Sequence, residues 1–313
     1  MGKKLLKPLI HIGSLLLFLF FLFLTVRFFD IGLLIQQLRQ IFFNGHWFVF
    51  LTACYLSAFV LRTMAWKMYL KGQHPFRVYL SALFYSLFIN HIFPFKAGEV
   101  VRTGVLAGEP EMDIDTAAHS VIVMRLLDLA CLGSLSLAGA LVFGVSLDTH
   151  FLFLLVSVCF VIGLGMLWIL HKKSPAFYRK HSAILEAALS LKRFPLILGL
   201  IGFSWILEAV VLYGFIKGTG LDLAFLEAIW ANSLTVASGV FQFAPGGLAT
   251  YESVLSFALV QTGFDWAQAY HLAIITHGYK FLFSFAAGAS ALILHPIPLL
   301  QLKKWTLKKG RQV

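Results

Sequence analysis

The chain has 313 residues, 59% of them hydrophobic and only 12% charged, with a mean hydropathy of +0.85. Soluble domains carry about 25% charged residues, so an ordinary soluble enzyme, a disordered chain and a small disulfide scaffold are excluded, and a polytopic helical membrane protein is indicated. The formal net charge is +11, and the placement of the basic residues along the chain decides what that excess means.

At the N-terminus Lys3, Lys4 and Lys7 precede an apolar run from Leu9 to Val26. No small-residue cleavage site follows it, so the run reads as an uncleaved first span over 8–28 rather than a signal peptide. Residues 30–45 read as an amphipathic helix lying at the interface. Full spans, each needing about 20 mostly apolar residues, are predicted at 47–66, 119–144, 151–170, 196–216 and 268–294. Between them lie two apolar stretches with breaks. One runs from Tyr79 to Phe93 and stops at Pro94; the other runs from Phe225 to Ala244, stops at Pro245-Gly246-Gly247 and resumes over Tyr251–Gln261. Backbone that is not helical is tolerated at membrane depth only where protein or a wet cavity covers it, so each stretch reads as a re-entrant hairpin or a pair of broken helices. Segment 175–193 reads as a second interfacial helix. Glu109, Glu111, Asp113 and Asp115 read as a solvated acidic loop. Cys54, Cys131 and Cys159 lie inside apolar stretches and read as small buried hydrophobes.

Basic residues concentrate at the N-terminus, in 62–77 (Arg62, Lys67, Lys71, Arg77), in 171–194 and in the tail after 302. With both hairpins returning to the side they enter from, all of these fall on one face, which puts both termini in the cytoplasm and the chain in the cell membrane. The charge is then that of flanks near anionic lipid, not of a nucleic-acid site. The order span, broken segment, span occurs twice, with corresponding elements about 150 residues apart, a spacing that signals an internal repeat. Three spans separate the starts of the two copies, so they enter the membrane from opposite sides. The predicted fold is all-α: one transmembrane domain over 1–313, with about six full spans and two broken-helix hairpins in an inverted repeat, approximately 47–144 and 196–294. Inverted repeats with discontinuous helices mark transporters, and the breaks mark the binding site.

The candidate site residues follow from that placement. After the first break stand Asn90, Pro94, Lys96, Gly98, Glu99 and Arg102; Pro94 and Gly98 interrupt the helix, and Glu99 and Arg102 are spaced to pair on the next short helix. Arg125 and Asp128 share a face of span 119–144, at a cost of about 2.5–3.5 kcal/mol for a charge at bilayer depth. They mark either a pathway or a structural ion pair, and the planar fork of arginine suits phosphate as well as carboxylate. Pro245, Gly246 and Gly247 turn the chain at the second break, and the helix after them aims free N–H groups inward. Glu252 lies in its first turn, as a cap or as a partner for a cationic headgroup or for the Arg125 region. Glu208, His277 and Lys280 are weaker candidates; Lys280 is equally suited to snorkelling toward an interface. Phosphate-loop, zinc-protease, nucleophile-elbow and dinucleotide motifs do not occur in the sequence, and no metal or other cofactor is expected.

These stretches resemble the transmembrane region of the lysylphosphatidylglycerol synthetase family, also called the flippase-like membrane domain family. Its pattern is Asn-x3-Pro-x3-Gly-(Asp/Glu)-x2-Arg, then an Arg-x2-Asp helix, then Pro-x-Gly-x-Gly-x2-Glu. The chain matches at Asn90, Pro94, Gly98, Glu99, Arg102, Arg125, Asp128, Pro245, Gly247 and Glu252. It departs at Met124, where an acidic residue is usual, at Ala249, where the last glycine is usual, and at His277 or Lys280, where a late arginine is common. The resemblance implies translocation of lipids or lipid-linked molecules between leaflets. The soluble aminoacyl-transferase domain of fused members has no room after the last span, so aminoacylation by this chain alone is not expected.

The function expected is therefore flipping of a phospholipid or lipid-linked molecule, with no enzymatic activity. The alternatives are a non-catalytic membrane subunit of a lipid synthase or glycosyltransferase, and an intramembrane lipid-modifying enzyme using paired carboxylates. The expected partner is a membrane lipid or lipid-linked substrate, with a membrane-bound synthase or glycosyltransferase and a second copy of the chain as further candidates.

Overall fold

The computed structural model of the chain describes residues 19, 21–43, 45–93, 96–144, 165, 168, 171–188, 193–241 and 244–296. Span 151–170 and the first half of span 8–28 lie outside the described residues in all but isolated positions, as do Pro94, Cys159 and the basic tail.

The described residues form helices: α1 (Phe21–Phe28), α2 (Ile31–Phe43), α3 (Gly45–Tyr69), α4 (Phe76–Ile92), α5 (Gly98–Ala107), α6 (Ile114–Val142), α7 (Pro175–Ala188), α8 (Phe194–Gly218), α9 (Phe225–Ser238), α10 (Thr250–Gln261) and α11 (Trp266–Leu294). Three of them, α3, α6 and α8, are long and apolar enough to cross a membrane, and α1 with the first part of α2 passes the same test as a pair bent by 90°. At 1.5 Å per residue, α11 is about 43 Å long, but the face it buries carries His271, Thr276, His277, Lys280 and Ser284, and it is not among the helices apolar enough to cross.

Local chemistry sets the boundaries. Phe93, the residue before Pro94, is extended (φ −111°, ψ 146°), as the proline ring demands of its predecessor. Pro195 occupies the first turn of α8, where its missing N–H costs nothing. Both 29-residue helices begin on an aspartate cap: Asp113 accepts from the Thr116 N–H and Asp265 from the Gln268 N–H. The acidic loop is thus not merely solvated. Asp113 also bonds Lys180 of α7 at 2.8 Å, and Glu109 lies 3.2 Å from His295.

The helices exchange partners between the two halves of the chain. α3 packs along α8; α4 packs on α11, and α9 on α6. Within each half, α4 packs on α5 and α5 on α6, as α9 packs on α10 and α10 on α11. The buried core follows these contacts, with Trp66, Tyr69, Tyr79, Leu106, Met124 and Phe215 at its centre. Leu126, Leu141, Leu282 and Ile293 point outward, which suits a lipid-facing surface.

Candidate functional site

Both helix breaks open onto one cavity of about 190 Å³. It is lined by Tyr55, Phe59 and Arg62 of α3, Asn90 and His91 of α4, Lys96, Glu99 and Arg102 around the first break, and Arg125 and Asp128 of α6. The second half adds Trp205 and Glu208 of α8, Gly246 and Gly247 of the second break, Thr250 and Tyr251 of α10, and His277 and Lys280 of α11. Among the described candidates, Asn90, Lys96, Glu99, Arg102, Arg125, Asp128, Gly246, Gly247, Glu208, His277 and Lys280 therefore meet in one place. Gly98, Pro245 and Glu252 stand behind its wall, and Pro94 lies outside the described residues.

The first break is held by its own motif. The Asn90 side-chain carbonyl accepts the Gly98 N–H at 2.8 Å, satisfying one of the free donors at the start of α5. A Cβ on Gly98 would fall 2.1 Å from the Ser86 carbonyl oxygen, so only glycine lets α5 approach α4 this closely. The second break turns on Gly246 (φ 67°) and Gly247 (φ 80°). Ala249, where the resembling pattern has glycine, sits at φ 71°, a region that L-residues with a Cβ rarely occupy.

A charged network crosses the cavity floor. Arg62 Nη2 donates to Glu208 Oε2 at 2.7 Å, and Lys280 Nζ donates to Glu208 Oε1 at 2.8 Å. Arg62 Nε reaches the Ser204 hydroxyl at 3.0 Å, and its guanidinium lies 3.5 Å over the Trp205 ring. The three charged members are only 8%, 4% and 7% exposed, so each is buried with its charge paired, as burial requires. Lys280 therefore does not snorkel. Arg62, read from the sequence as part of a basic flank, is also buried here. Its signal was present: Tyr55, Phe59, Arg62 and Trp66 recur at helical spacing and form one inward stripe.

The remaining charges are less completely satisfied. Arg102 lies 3.9 Å from Glu99 and 3.9 Å over the Trp66 ring. Asp128 accepts from Trp205 Nε1 at 3.2 Å. Among the described residues, Arg102 Nε, Arg125 Nη2, Glu99 Oε2 and Glu252 Oε2 are buried without a hydrogen-bond partner. Unpartnered atoms of this kind also occur elsewhere among the described residues, as at Tyr79 and Ser81, but these four are the charged ones. Glu252 does not cap α10 and does not meet Arg125; its Oε1 lies 2.6 Å from His277 Nδ1, while His277 Nε2 lies 3.0 Å from the Gly246 carbonyl oxygen. Five lining side chains are cationic (Arg62, Lys96, Arg102, Arg125, Lys280) and three are carboxylates (Glu99, Asp128, Glu208). The cavity therefore carries an excess of positive charge, and the arginines present donor forks to it. No group of three or more His, Cys, Asp or Glu side chains able to hold a metal occurs among the described residues.

The sequence pattern of the family described as the lysylphosphatidylglycerol synthase TM region matches residues 11–288. The chain belongs to that family. The match spans both breaks and the whole cavity, and it makes the chain a membrane domain of lysylphosphatidylglycerol synthase type, with a lipid-related function at a membrane. A membrane protein of Methanocaldococcus jannaschii, UPF0104 membrane protein MJ1078, is 24% identical over 202 residues, covering 60% of this chain and 86% of its own. No solved structure matches the chain.

Proposed function

We propose that the chain translocates a phospholipid or lipid-linked molecule with an anionic headgroup between leaflets. The observation that carries this is the cavity between the two helix breaks, with its positive excess and the partnerless Arg102 Nε and Arg125 Nη2. At about 190 Å³ the cavity is smaller than the roughly 300–1,000 Å³ of ordinary small-molecule sites. It accepts a headgroup and leaves acyl chains in the bilayer. A phosphate between Arg102 and Arg125 receives charge-assisted hydrogen bonds from both, with Lys96 as a further point charge. Glu208 is occupied by Arg62 and Lys280 and stays structural.

The architecture proposed for this is six full spans with two hairpins in an inverted repeat. Support comes from matched lengths and partners. α3 and α8 have 25 residues each, α6 and α11 have 29 each, and the latter two start on Asp113 and Asp265. Counted from those caps, Arg125 and His277 hold the same position, as do Asp128 and Lys280. Each half's broken helix packs on the other half's last helix, the exchange that a two-fold pseudo-axis produces. A basic groove lined by Lys67, Lys71 and Arg193 joins stretches 62–77 and 171–194 at one end of the bundle, in keeping with a cytoplasmic face bearing both termini.

Reconstitution tests this. Purified chain in liposomes with labelled phosphatidylglycerol is expected to speed leaflet exchange. Arg125→Ala and Arg102→Ala are each expected to slow it roughly ten- to hundredfold, the worth of a lost hydrogen bond to a charged group. Unchanged exchange in both folded variants would refute the headgroup site. Conversion of the lipid to a new product would replace translocation by enzymatic modification. No exchange without an added synthase would favour the subunit role.

A further inference from the structure

We propose that His277 and Glu252 form a proton-binding site that latches the second helix break, and that one proton travels with each anionic headgroup. This rests on the translocation proposed above and names its driving ion. The geometry forces the proton count. His277 Nδ1 faces a carboxylate oxygen of Glu252 at 2.6 Å, and Nε2 faces the Gly246 carbonyl oxygen at 3.0 Å. Both neighbours are acceptors. A neutral imidazole has one N–H and satisfies one of them; to satisfy both, the pair must hold a second proton, either on the ring as imidazolium or on Glu252 with Nδ1 accepting. Removing that proton sets a lone pair against a lone pair at one of the two contacts.

The contact to Gly246 is the mechanical one. Gly246 lies in the turn that ends the second broken segment, at φ 67°, and a Cβ there would fall 2.2 Å from the Phe281 ring one turn along α11. The protonated ring thus ties the turn to α11; with the remaining ring proton kept on Nδ1 toward the Glu252 carboxylate, deprotonation frees the Gly246 carbonyl. The site opens on the cavity, because His277, Gly246 and Tyr251 all line it. Lys96, Glu99, Arg102, Arg125 and Asp128 share that cavity. From α10, Tyr251 stacks on the ring at 4.2 Å, an arrangement that favours the cation. From α4, His91 lies 6.4 Å away between ring centres. On α11 itself, Lys280 is engaged by Glu208 of α8, and Tyr270 lies within electrostatic reach of Glu252. Glu252 stands in the first turn of α10. An arriving phosphate adds negative charge to the cavity and draws a proton onto the pair; its departure lets the proton go to the same side. In the pseudo-symmetric position of the first half stands Arg125, whose charge is permanent, so the histidine site has no titrating counterpart at that position.

The test has two readouts. Nitrogen NMR of the histidine-labelled chain in lipid nanodiscs, with His277 assigned by its loss in His277→Gln, is expected to show both ring nitrogens protonated at the acid end of the range in which the chain stays folded and one released as the pH is raised. Glu252→Gln is expected to abolish the doubly protonated ring. In vesicles, a pH difference acidic on the donor side is expected to accelerate exchange of labelled phosphatidylglycerol several-fold, and both variants to lose that response. A ring with a constant proton count over the range, or exchange indifferent to the gradient, overturns the proposal. A titrating ring in a chain that exchanges no lipid keeps the proton site and discards the lipid it was coupled to. A silent ring in a chain that exchanges lipid discards the proton site alone.

Discussion

Two residues show how the site is held together. Glu208 is bound on one oxygen by Arg62 and on the other by Lys280, all three buried. Removing one partner of a buried ion pair strands the others, at a cost of about 3–5 kcal/mol. Glu208→Gln strands two cations and is expected to fall in that range, read as a lower thermal midpoint in detergent. Ala249 makes the opposite case. At φ 71° its Cβ is strained, and Ala249→Gly is expected to stabilise the fold by about 1 kcal/mol, the strain relieved slightly exceeding the freedom gained by the unfolded chain. A lower midpoint in this variant would mean that the turn at the second break does not need a left-handed residue.

At the scale of elements, the caps are the most local test. Asp113→Ala removes the oxygen that accepts from Thr116 and is expected to cost about 1 kcal/mol. The Lys180 ammonium, and then the Thr116 hydroxyl, hold the Asp113 carboxyl well below the usual carboxylate range. A carboxyl depressed in the fold contributes its stability above the unfolded value and loses it as pH falls through the folded one. The difference between wild type and Asp113→Asn is therefore expected to persist at neutral pH and to shrink only below about pH 4; both side chains are about half exposed, so salt will weaken it. Element positions were legible from apolar runs long enough to span, but those runs start α6 and α11 a few residues late, because Asp113 reads as a solvated loop residue and the Asp265 cap lies outside the run. Partner choice was not legible. α3 and α8 are apolar on the lipid side as well as the core side, so hydrophobic periodicity gives no inward phase, and their pairing shows only in the polar stripe of Tyr55, Arg62, Ser204 and Glu208.

At the scale of the molecule, the candidate residues were legible wherever polarity interrupts apolar sequence, as at Asn90–Arg102, Arg125-x2-Asp128 and Pro245–Glu252. What stayed hidden was which charges answer each other, because Arg62 and Glu208 are 146 residues apart and only the exchange of helices between halves brings them together. That exchange has its own signature in two glycines. A Cβ on Gly139 of α6 would meet Trp230 of α9 at 2.5 Å, and one on Gly288 of α11 would meet Phe88 of α4 at 2.6 Å. Each last helix thus opens a notch for an aromatic ring on the other half's broken helix. Neither glycine lines the cavity, so the consequence of filling a notch is mechanical. Gly139→Ala and Gly288→Ala are each expected to cost about 1–3 kcal/mol as overpacking. If the halves stand only as one interlocked unit, that cost falls on a single cooperative unfolding step, and both variants lower one common thermal midpoint. Two separated transitions in either variant, one unmoved, would mean that each half closes its own core and that the cavity between them is an interface of docked domains.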